Sequence, residues 1–249
     1  TKPVKFILVD VDHPVSSRYS TVESLLIFDD VFVPWERVFM CGEWDAMESM
    51  LFSFATTHRH SRCACSAGVT DLLTGGASLI AKYNGIEKAS HVKDKLTELS
   101  TSSETYYSCG LAASVLATKT DSGYYSPNML YANVGKTWTA KLFHDSLRMV
   151  QEIAGGLIDT VPSVSDCENP ELSSFIDKYL KGRADVQTDE RLKLFRMLQD
   201  MTTFGTVCYW STISATGAGS LQGAKIMVSR ETDFDAKERM VKELGGLPA

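Results

Sequence analysis

The sequence predicts a mainly α protein, a bundle of long helices preceded by a few strands from the end of a β layer. Three observations carry this. Apolar residues recur at a period near 3.6 from about residue 47 onward. Helix start and stop signals divide that region into several long segments. β-Branched and apolar strand patterns are confined to residues 4–38. The expected division is a β-domain remnant over residues 1–43 and a helical bundle over residues 44–249.

Taken in order, the run from Val4 to Val11 reads as a strand broken by His13-Pro14. A second strand pattern runs from Thr21 to Phe28 and an edge-like one over Val31-Phe32-Val33-Pro34. Two or three strands do not cover their own apolar faces, so their partners belong outside this chain. Thr1 is not an initiator methionine, and the expectation is a piece of a longer polypeptide. After Gly42-Glu43-Trp44, Met47, Met50, Leu51, Phe54 and Ala55 begin a helix that continues to Tyr83-Asn84-Gly85. A second is expected from Ser90 to about Ala117. A third should start at Ser126-Pro127 and run through Leu130, Val134, Trp138, Leu142, Leu147, Val150 and Ala154 to Gly155-Gly156. Thr160 to Leu172 reads as loop and Ser174 to Leu180 as a short helix. A long helix is expected from Thr188, with Asp189 and Glu190 in its first turn, to about Ala215. Gly217-Ala218-Gly219-Ser220 interrupts the pattern, and a last helical stretch covers Leu221 to Leu244 with a break near Thr232.

The chain has 249 residues, enough for a substantial core, and a net charge of −6 with its 25 basic residues scattered. No basic stripe exists to neutralise a phosphate backbone, which argues against nucleic acid as a partner. No apolar run reaches the roughly 18 to 20 residues needed to cross a bilayer, and the first 20 residues lack a signal-peptide layout, so the expectation is a cytoplasmic protein without a membrane partner. Six cysteines in such a length are too sparse for a disulfide scaffold; the close pair Cys63/Cys65 suits thiol or metal chemistry in a reducing compartment.

The chemistry concentrates in Thr56 to Gly68, which holds His58, His60, Cys63 and Cys65. On one α-helix, at about 100° per residue, Cys65 returns to within about 20° of His58, whereas His60 and Cys63 turn away. His58 and Cys65 lie about 10 Å apart along the axis, long for one zinc ion and better suited to a broad iron–sulfur cluster. The plain alternative is a packed thiol and a capping or surface histidine. Glu23 sits in an apolar strand pattern; buried there, its carboxyl would rise towards neutrality as an acid–base group needs, while on the alternate face it would only meet water. Gln151 to Gly156 ends a helix in paired glycines, where backbone could approach a phosphate or a flavin, or could simply cap the helix. Trp138 and the tyrosines at 106, 107, 124 and 125 read as core and turn residues.

Several motifs occur in one order along the chain. They are Glu23-Ser24-Leu25-Leu26-Ile27-Phe28-Asp29-Asp30-Val31-Phe32-Val33-Pro34, His58-Arg59 to Cys65, and Tyr83-Asn84-Gly85 with Lys88 to Leu96. Ile153-Ala154-Gly155-Gly156-Leu157 with Pro162-Ser163, and Gly217-Ala218-Gly219-Ser220, complete the set. Together they resemble the flavoprotein family that joins 4-hydroxybutyryl-CoA dehydratases with the large components of 4-hydroxyphenylacetate 3-hydroxylases. The resemblance implies an acyl-CoA dehydrogenase-like fold, FAD as cofactor and a homotetramer whose N-terminal half lies outside this chain. In the dehydratases it further implies a [4Fe–4S] cluster held by three cysteines and one histidine, with His58 and Cys65 as two of the ligands. Glu23 falls on the acidic catalytic residue, and His58 is implied to act in catalysis besides binding the cluster. Gln151, Gly155 and Gly156 fall in the part of the bundle that meets the flavin. The implied reaction is a radical dehydration of an acyl-CoA substrate such as 4-hydroxybutyryl-CoA, with the flavin as one-electron acceptor and the cluster as Lewis acid. Vinylacetyl-CoA isomerase activity goes with it.

Four positions depart from the dehydratase pattern. Arg62 stands for a tyrosine, Ser66 for a lysine, and Ile213 and Thr216 for the glutamate and histidine before the Gly-Ala-Gly-Ser segment. Two other readings remain beside this one: a flavin-dependent aromatic hydroxylase of the 4-hydroxyphenylacetate 3-monooxygenase type, and a non-catalytic truncated paralogue serving in assembly.

Overall fold

A computed structural model describes residues 11–19 and 24–248. Helix α1 is one turn, Ser16–Tyr19. It is followed by α2 (Met47–Tyr83), α3 (Ser90–Val115), a two-residue ladder of β1 (Thr118–Lys119) with β2 (Tyr125–Ser126), and α4 (Met129–Ala154). The short α5 (Val164–Glu168) and α6 (Ser173–Tyr179) lead to α7 (Thr188–Thr202), α8 (Gly205–Thr216), α9 (Leu221–Glu231) and α10 (Phe234–Gly245). The chain is mainly α, as expected.

Several expected elements are corrected. Residues 24–28 and 31–34 are not strands but exposed extended segments, with Leu25, Ile27 and Phe32 more than three-quarters exposed. Among the described residues no strand lies beside them to take their backbone groups, and no ladder forms there. The run from Val4 to Asp10 lies outside the described residues. α4 starts at Met129 rather than at Pro127, because β2 claims Ser126 and the Asn128 side chain accepts from the Tyr131 N–H at 3.2 Å as a cap. The loop expected from Thr160 contains α5, started by a capping box of Ser163 and Asp166. The helix expected from Thr188 to Ala215 is two helices. α7 closes at Thr203 (φ −133°), and the N–H of Thr206 in the first turn of α8 donates to the Ser16 hydroxyl at 3.0 Å instead of continuing the ladder. The break near Thr232 is present, with Asp233 capping α10.

The helical stretch Trp44–Tyr83 is long and apolar enough by composition to cross a membrane, with mean hydropathy 1.3, contrary to the expectation that no run reaches that level. Of its most apolar part, 44% is buried within the protein, and a core helix rich in small residues passes the same test.

The residues group into two compact units. One takes Thr1–Phe54, Leu72–Thr97 and Leu147–Ser211; the other takes Ala55–Asp71, Glu98–Ser146 and Thr212–Ala249. The first buries Leu73, Ile80, Val92, Val150, Leu192, Phe195, Leu198 and Met201. Gly76 lets α2 meet α7 closely, since a Cβ there would stand 2.6 Å from Leu198 Cδ2. At an apolar transfer energy of about 25 cal/mol per Å², each fully buried leucine or isoleucine contributes roughly 1.5–3 kcal/mol. The second unit buries Cys63, Ala67, Leu99, Tyr106, Ala132, Phe143, Ala224 and Met227, together with an unusual number of polar side chains. In its part of α4 the buried polar positions are Asn133, Lys136, Thr139 and Ser146. The apolar stripe expected there leaves Trp138 40% exposed.

Candidate functional site

Within the second unit, the α2 segment from Thr56 to Asp71 presents two contrasting sides. His58, Ser61, Cys65 and Gly68 are exposed, while Arg59, Arg62, Cys63, Ser66, Ala67 and Thr70 are buried. The helix contains no proline and so keeps one phase, which leaves the seven-residue spacing of His58 and Cys65 on a single exposed face. The other two candidates of this stretch face away from it. His60 Nε2 is 2.8 Å from Ser114 Oγ and 3.2 Å from the Gly110 carbonyl of α3. The Cys63 thiol donates to the Arg59 carbonyl at 3.4 Å, and burial, with Cys109 beside it, pushes it up to about 12. A thiol so raised is a small packed hydrophobe, not a nucleophile or ligand. Gly110 and Gly135 make room for it: a Cβ on Gly135 would collide with the Cys63 sulfur and stand 3.0 Å from Cys109 Cβ.

Among the described residues, no three of His, Cys, Asp and Glu gather to hold a metal ion. His58 and Cys65 alone are two donors and do not by themselves close a metal site. Glu23 lies outside the described residues.

The buried side of the same segment carries charge. Arg59 is 6% exposed; its Nε donates to the Ala218 carbonyl at 3.0 Å and its Nη1 to Asn133 Oδ1 at 2.6 Å. Asn133 is turned to accept because its own Nδ2 donates to the Met129 carbonyl at 2.6 Å. Lys136 is fully buried, and its Nζ donates to the carbonyls of Ser214 at 2.8 Å and Ala215 at 3.2 Å, in the last turn of α8. Burial, with Arg62 and Arg59 nearby, holds its amine down at about 8. These hydrogen bonds surround a turn in which Ala218 (φ 61°) and Gly219 (φ 85°) are both left-handed, after which the Ser220 hydroxyl caps α9 by accepting from the Gly223 N–H at 3.0 Å.

In the first unit, α4 ends at Gly155, whose φ of 79° is the left-handed conformation a helix stop needs. Gly155 and Gly156 are exposed, and no atom lies within 4 Å of where a Cβ would stand on either. Two side chains hold the following segment, one neutral and one ion-paired, while Gln151 ties the end of α4 to the end of α7. Gln151 Nε2 donates to the Thr202 carbonyl at 3.0 Å, Gln199 Nε2 to that of Asp159 at 3.3 Å, and Arg196 Nε to that of Pro162 at 3.0 Å. Arg196 also sits 3.5 Å from Asp12, and Asp200 accepts from the backbone N–H groups of Val15 and Ser16 at 2.8 and 2.7 Å. Of the three residues expected to meet a cofactor, Gln151 thus has its amide N–H engaged; the Gly155 N–H donates to the Gln151 carbonyl at 2.8 Å, and what the two glycines leave open is the space a side chain would fill.

Arg59, Asn133 and Lys136 were not singled out by the sequence reading. Lys136 lies off the expected stripe of Leu130, Val134, Trp138 and Leu142, on the side that the fold buries with Ala132 and Phe143, and a lysine between Gly135 and Thr137 carries no signal of burial. A signal was available at Arg59 only through its place between His58 and His60.

Residues 47–246 match the family described as 4-hydroxyphenylacetate 3-hydroxylase C terminal, and residues 5–40 match its N terminal counterpart. The chain belongs to the 4-hydroxyphenylacetate 3-hydroxylase family of enzymes. Within it, the chain is 35% identical over 240 residues to a 4-hydroxybutyryl-CoA dehydratase/vinylacetyl-CoA-Delta-isomerase of Clostridium aminobutyricum, covering 93% of this chain and 49% of that one. It is 30% identical over 196 residues to the oxygenase component of 4-hydroxyphenylacetate 3-monooxygenase of Thermus thermophilus, covering 78% and 40%. Among solved structures it matches an oxygen-tolerant archaeal 4-hydroxybutyryl-CoA dehydratase from N. maritimus with a TM-score of 0.84 at 36% identity, over 90% of this chain and 44% of that one. It matches the HpaB oxygenase component complexed with FAD and 4-hydroxyphenylacetate with a TM-score of 0.86 at 25% identity, over 94% and 49%. The chain spans about half the length, or less, of these relatives.

Proposed function

We propose that this chain is part of a flavin- and iron–sulfur-dependent lyase that removes water from a hydroxyacyl-CoA such as 4-hydroxybutyryl-CoA. The observation that carries the reading is the pairing of His58 and Cys65 on one exposed face of α2, in a chain that is 35% identical to a dehydratase and at most 30% identical to the hydroxylases with which it was compared. A hydroxylase using flavin alone has no need of an imidazole and a thiol presented together. FAD is the expected flavin because an oxygenase component sharing this fold is described as complexed with it.

When bound, the cluster would supply an electron-poor iron for the departing hydroxyl, and the flavin would supply one-electron oxidation and reduction. The chain's own residues have separate tasks. His58 and Cys65 would be two of the cluster ligands, with the remaining cysteines contributed outside the described residues. His58 would also exchange a proton with the substrate side of the site, and Glu23 would be the second acid–base group. Gly155 and Gly156, lacking side chains, would let the flavin come close to the backbone. The net change is loss of one hydroxyl and one carbon-bound hydrogen as water, with no net oxidation of the acyl chain. Arg62 and Ser66 replace two polar groups of the dehydratase pattern with a buried cation and a buried hydroxyl, and such a change in the site's lining bears on which hydroxyacyl-CoA is accepted. We further propose that the working assembly is a homotetramer completed by the amino-terminal half found in the relatives.

Replacing Cys65 by alanine in the full-length protein, purified without oxygen, tests this. The expected result is loss of most bound iron and of the broad visible absorption of a cluster, with the flavin spectrum retained. Unchanged iron and absorption would remove the cluster from the proposal and favour the hydroxylase reading.

A further inference from the structure

We propose that Arg59 and Lys136 are positioning residues, a two-cation clamp that sets the geometry of the turn Gly217-Ala218-Gly219-Ser220 against the α2 segment that carries His58. The turn needs such a clamp. Ala218 is a non-glycine residue at φ 61°, and a left-handed alanine costs roughly 1–2 kcal/mol. The carbonyls that end α8 lack partners within the helix and must find donors. Water or a single glycine commonly meets both needs. Here Arg59 from α2 takes the Ala218 carbonyl, and Lys136 from α4 takes those of Ser214 and Ala215.

Among the described residues, the hydrogen-bond acceptors of these two cations are neutral: three carbonyls and the Asn133 amide oxygen. Burying charge against neutral acceptors is unfavourable compared with apolar packing of the same volume, so stability alone does not account for the choice. It does supply direction. A guanidinium anchored on Asn133 fixes where the Ala218 carbonyl lies, and Gly219 has no Cβ because Arg59 Nη2 would stand 3.3 Å from it. Arg59 follows His58 directly in α2, so one turn of helix presents the imidazole outward and grips the α8–α9 turn inward. Displacement of that turn is thereby transmitted to the backbone that orients His58.

The activity arm of the test rests on the proposed dehydratase reading; the exchange arm does not. In the full-length protein, amide hydrogen exchange is followed for the peptide spanning residues 213–224 and for α7 as a control. Arg59→Gln and Lys136→Met should speed exchange in 213–224 by about tenfold or more while α7 stays within about twofold, since opening of a local unit is independent of the rest. Arg59→Lys, which keeps the charge and one donor, should recover part of that protection. With 4-hydroxybutyryl-CoA as substrate, Arg59→Lys should lower kcat by about tenfold and leave KM within about twofold, the mark of lost alignment and not of lost binding. Exchange that rises equally in α7, or does not rise in 213–224, overturns the clamp. So does a fall in kcat no greater than the fall in folded protein. If the unsubstituted protein shows no dehydratase activity, the functional reading fails and the exchange arm alone decides; if Arg59→Gln does not fold, Arg59→Lys and Lys136→Met carry the test.

Discussion

Among the turns that leave helices through left-handed glycines, those at Gly155 and Gly219 are held in opposite ways. At Gly155-Gly156, in the first unit, the segment that follows is tied down by the amide of Gln199 and by the ion-paired Arg196, and the space over both glycines is open. At Gly217 to Ser220, in the second, buried Arg59 and Lys136 do the holding, and the space over Gly219 is occupied by a guanidinium. The first arrangement leaves backbone accessible to something that comes from outside. The second uses the missing side chain for internal packing and leaves no room for a visitor. Glycine in a helix-ending motif therefore has two meanings here, and only what fills the space over it separates them.

The sharpest contrast between the two is electrostatic. Lys136 is held at about 8, well below the ordinary lysine value of 10.5. The folded state therefore disfavours its ammonium form, and between those two values the unfolded chain binds more protons than the folded one. Stability should rise with pH through that window, by up to about 3 kcal/mol at about 1.4 kcal/mol per unit. The clamp survives deprotonation, because a neutral amine keeps two N–H donors for the two carbonyls. Lys136→Met should abolish the rise, which denaturant unfolding at pH 7.5, 9 and 10 measures. An equal rise in the variant would assign it to other groups and weaken the picture of a cation-held turn.

Gly135→Ala asks whether the second unit is as filled as it looks. A Cβ there meets the Cys63 sulfur and, at 3.0 Å, the Cys109 Cβ. Cys63 is fully buried, so something in α2, α3 or α4 must shift, and overpacking of this kind costs about 1–3 kcal/mol. Double substitution with Cys63→Ala should return most of that loss. Failure of the second change to rescue the first would place the strain in the helix backbone instead.

The sequence made the bundle legible because the long helices carry their own punctuation: Tyr83-Asn84-Gly85, Gly155-Gly156 and Gly217 to Ser220 all close helices where they were expected to. It misled where a tertiary contact decides. The break between α7 and α8 is met by Ser16, some 190 residues away in sequence, and locally only the weak helix formers Thr202, Thr203 and Gly205 hint at it. The exposed segments 24–28 and 31–34 have strand composition, yet a strand exists only with a neighbour. For the site, helical phase was enough to separate His58 and Cys65 from His60 and Cys63. It could not reveal the buried cations, because an arginine or lysine in a helix normally faces water. What marks Arg59 and Lys136 is the set of carbonyls converging on them from residues 214–218, which only the fold assembles.

The smallest stability effect tests the other half of the comparison. Gly156 has an ordinary φ and open space around it, so Gly156→Ala should change stability by no more than about 0.5 kcal/mol. On the proposed reading its methyl group would stand where the flavin comes close to backbone. Affinity for FAD in the full-length protein should then fall by about tenfold, roughly 1.4 kcal/mol, with the melting temperature unmoved. Gly219→Ala should do the reverse. It places a Cβ at φ 85° and 3.3 Å from Arg59 Nη2, losing roughly 1–2 kcal/mol of stability while flavin affinity, measured on the folded fraction, stays within about twofold of the unsubstituted protein. Equal flavin affinities in all three proteins would mean that the open glycines of the first unit are helix caps and nothing more, and the search for the flavin contact would move away from α4.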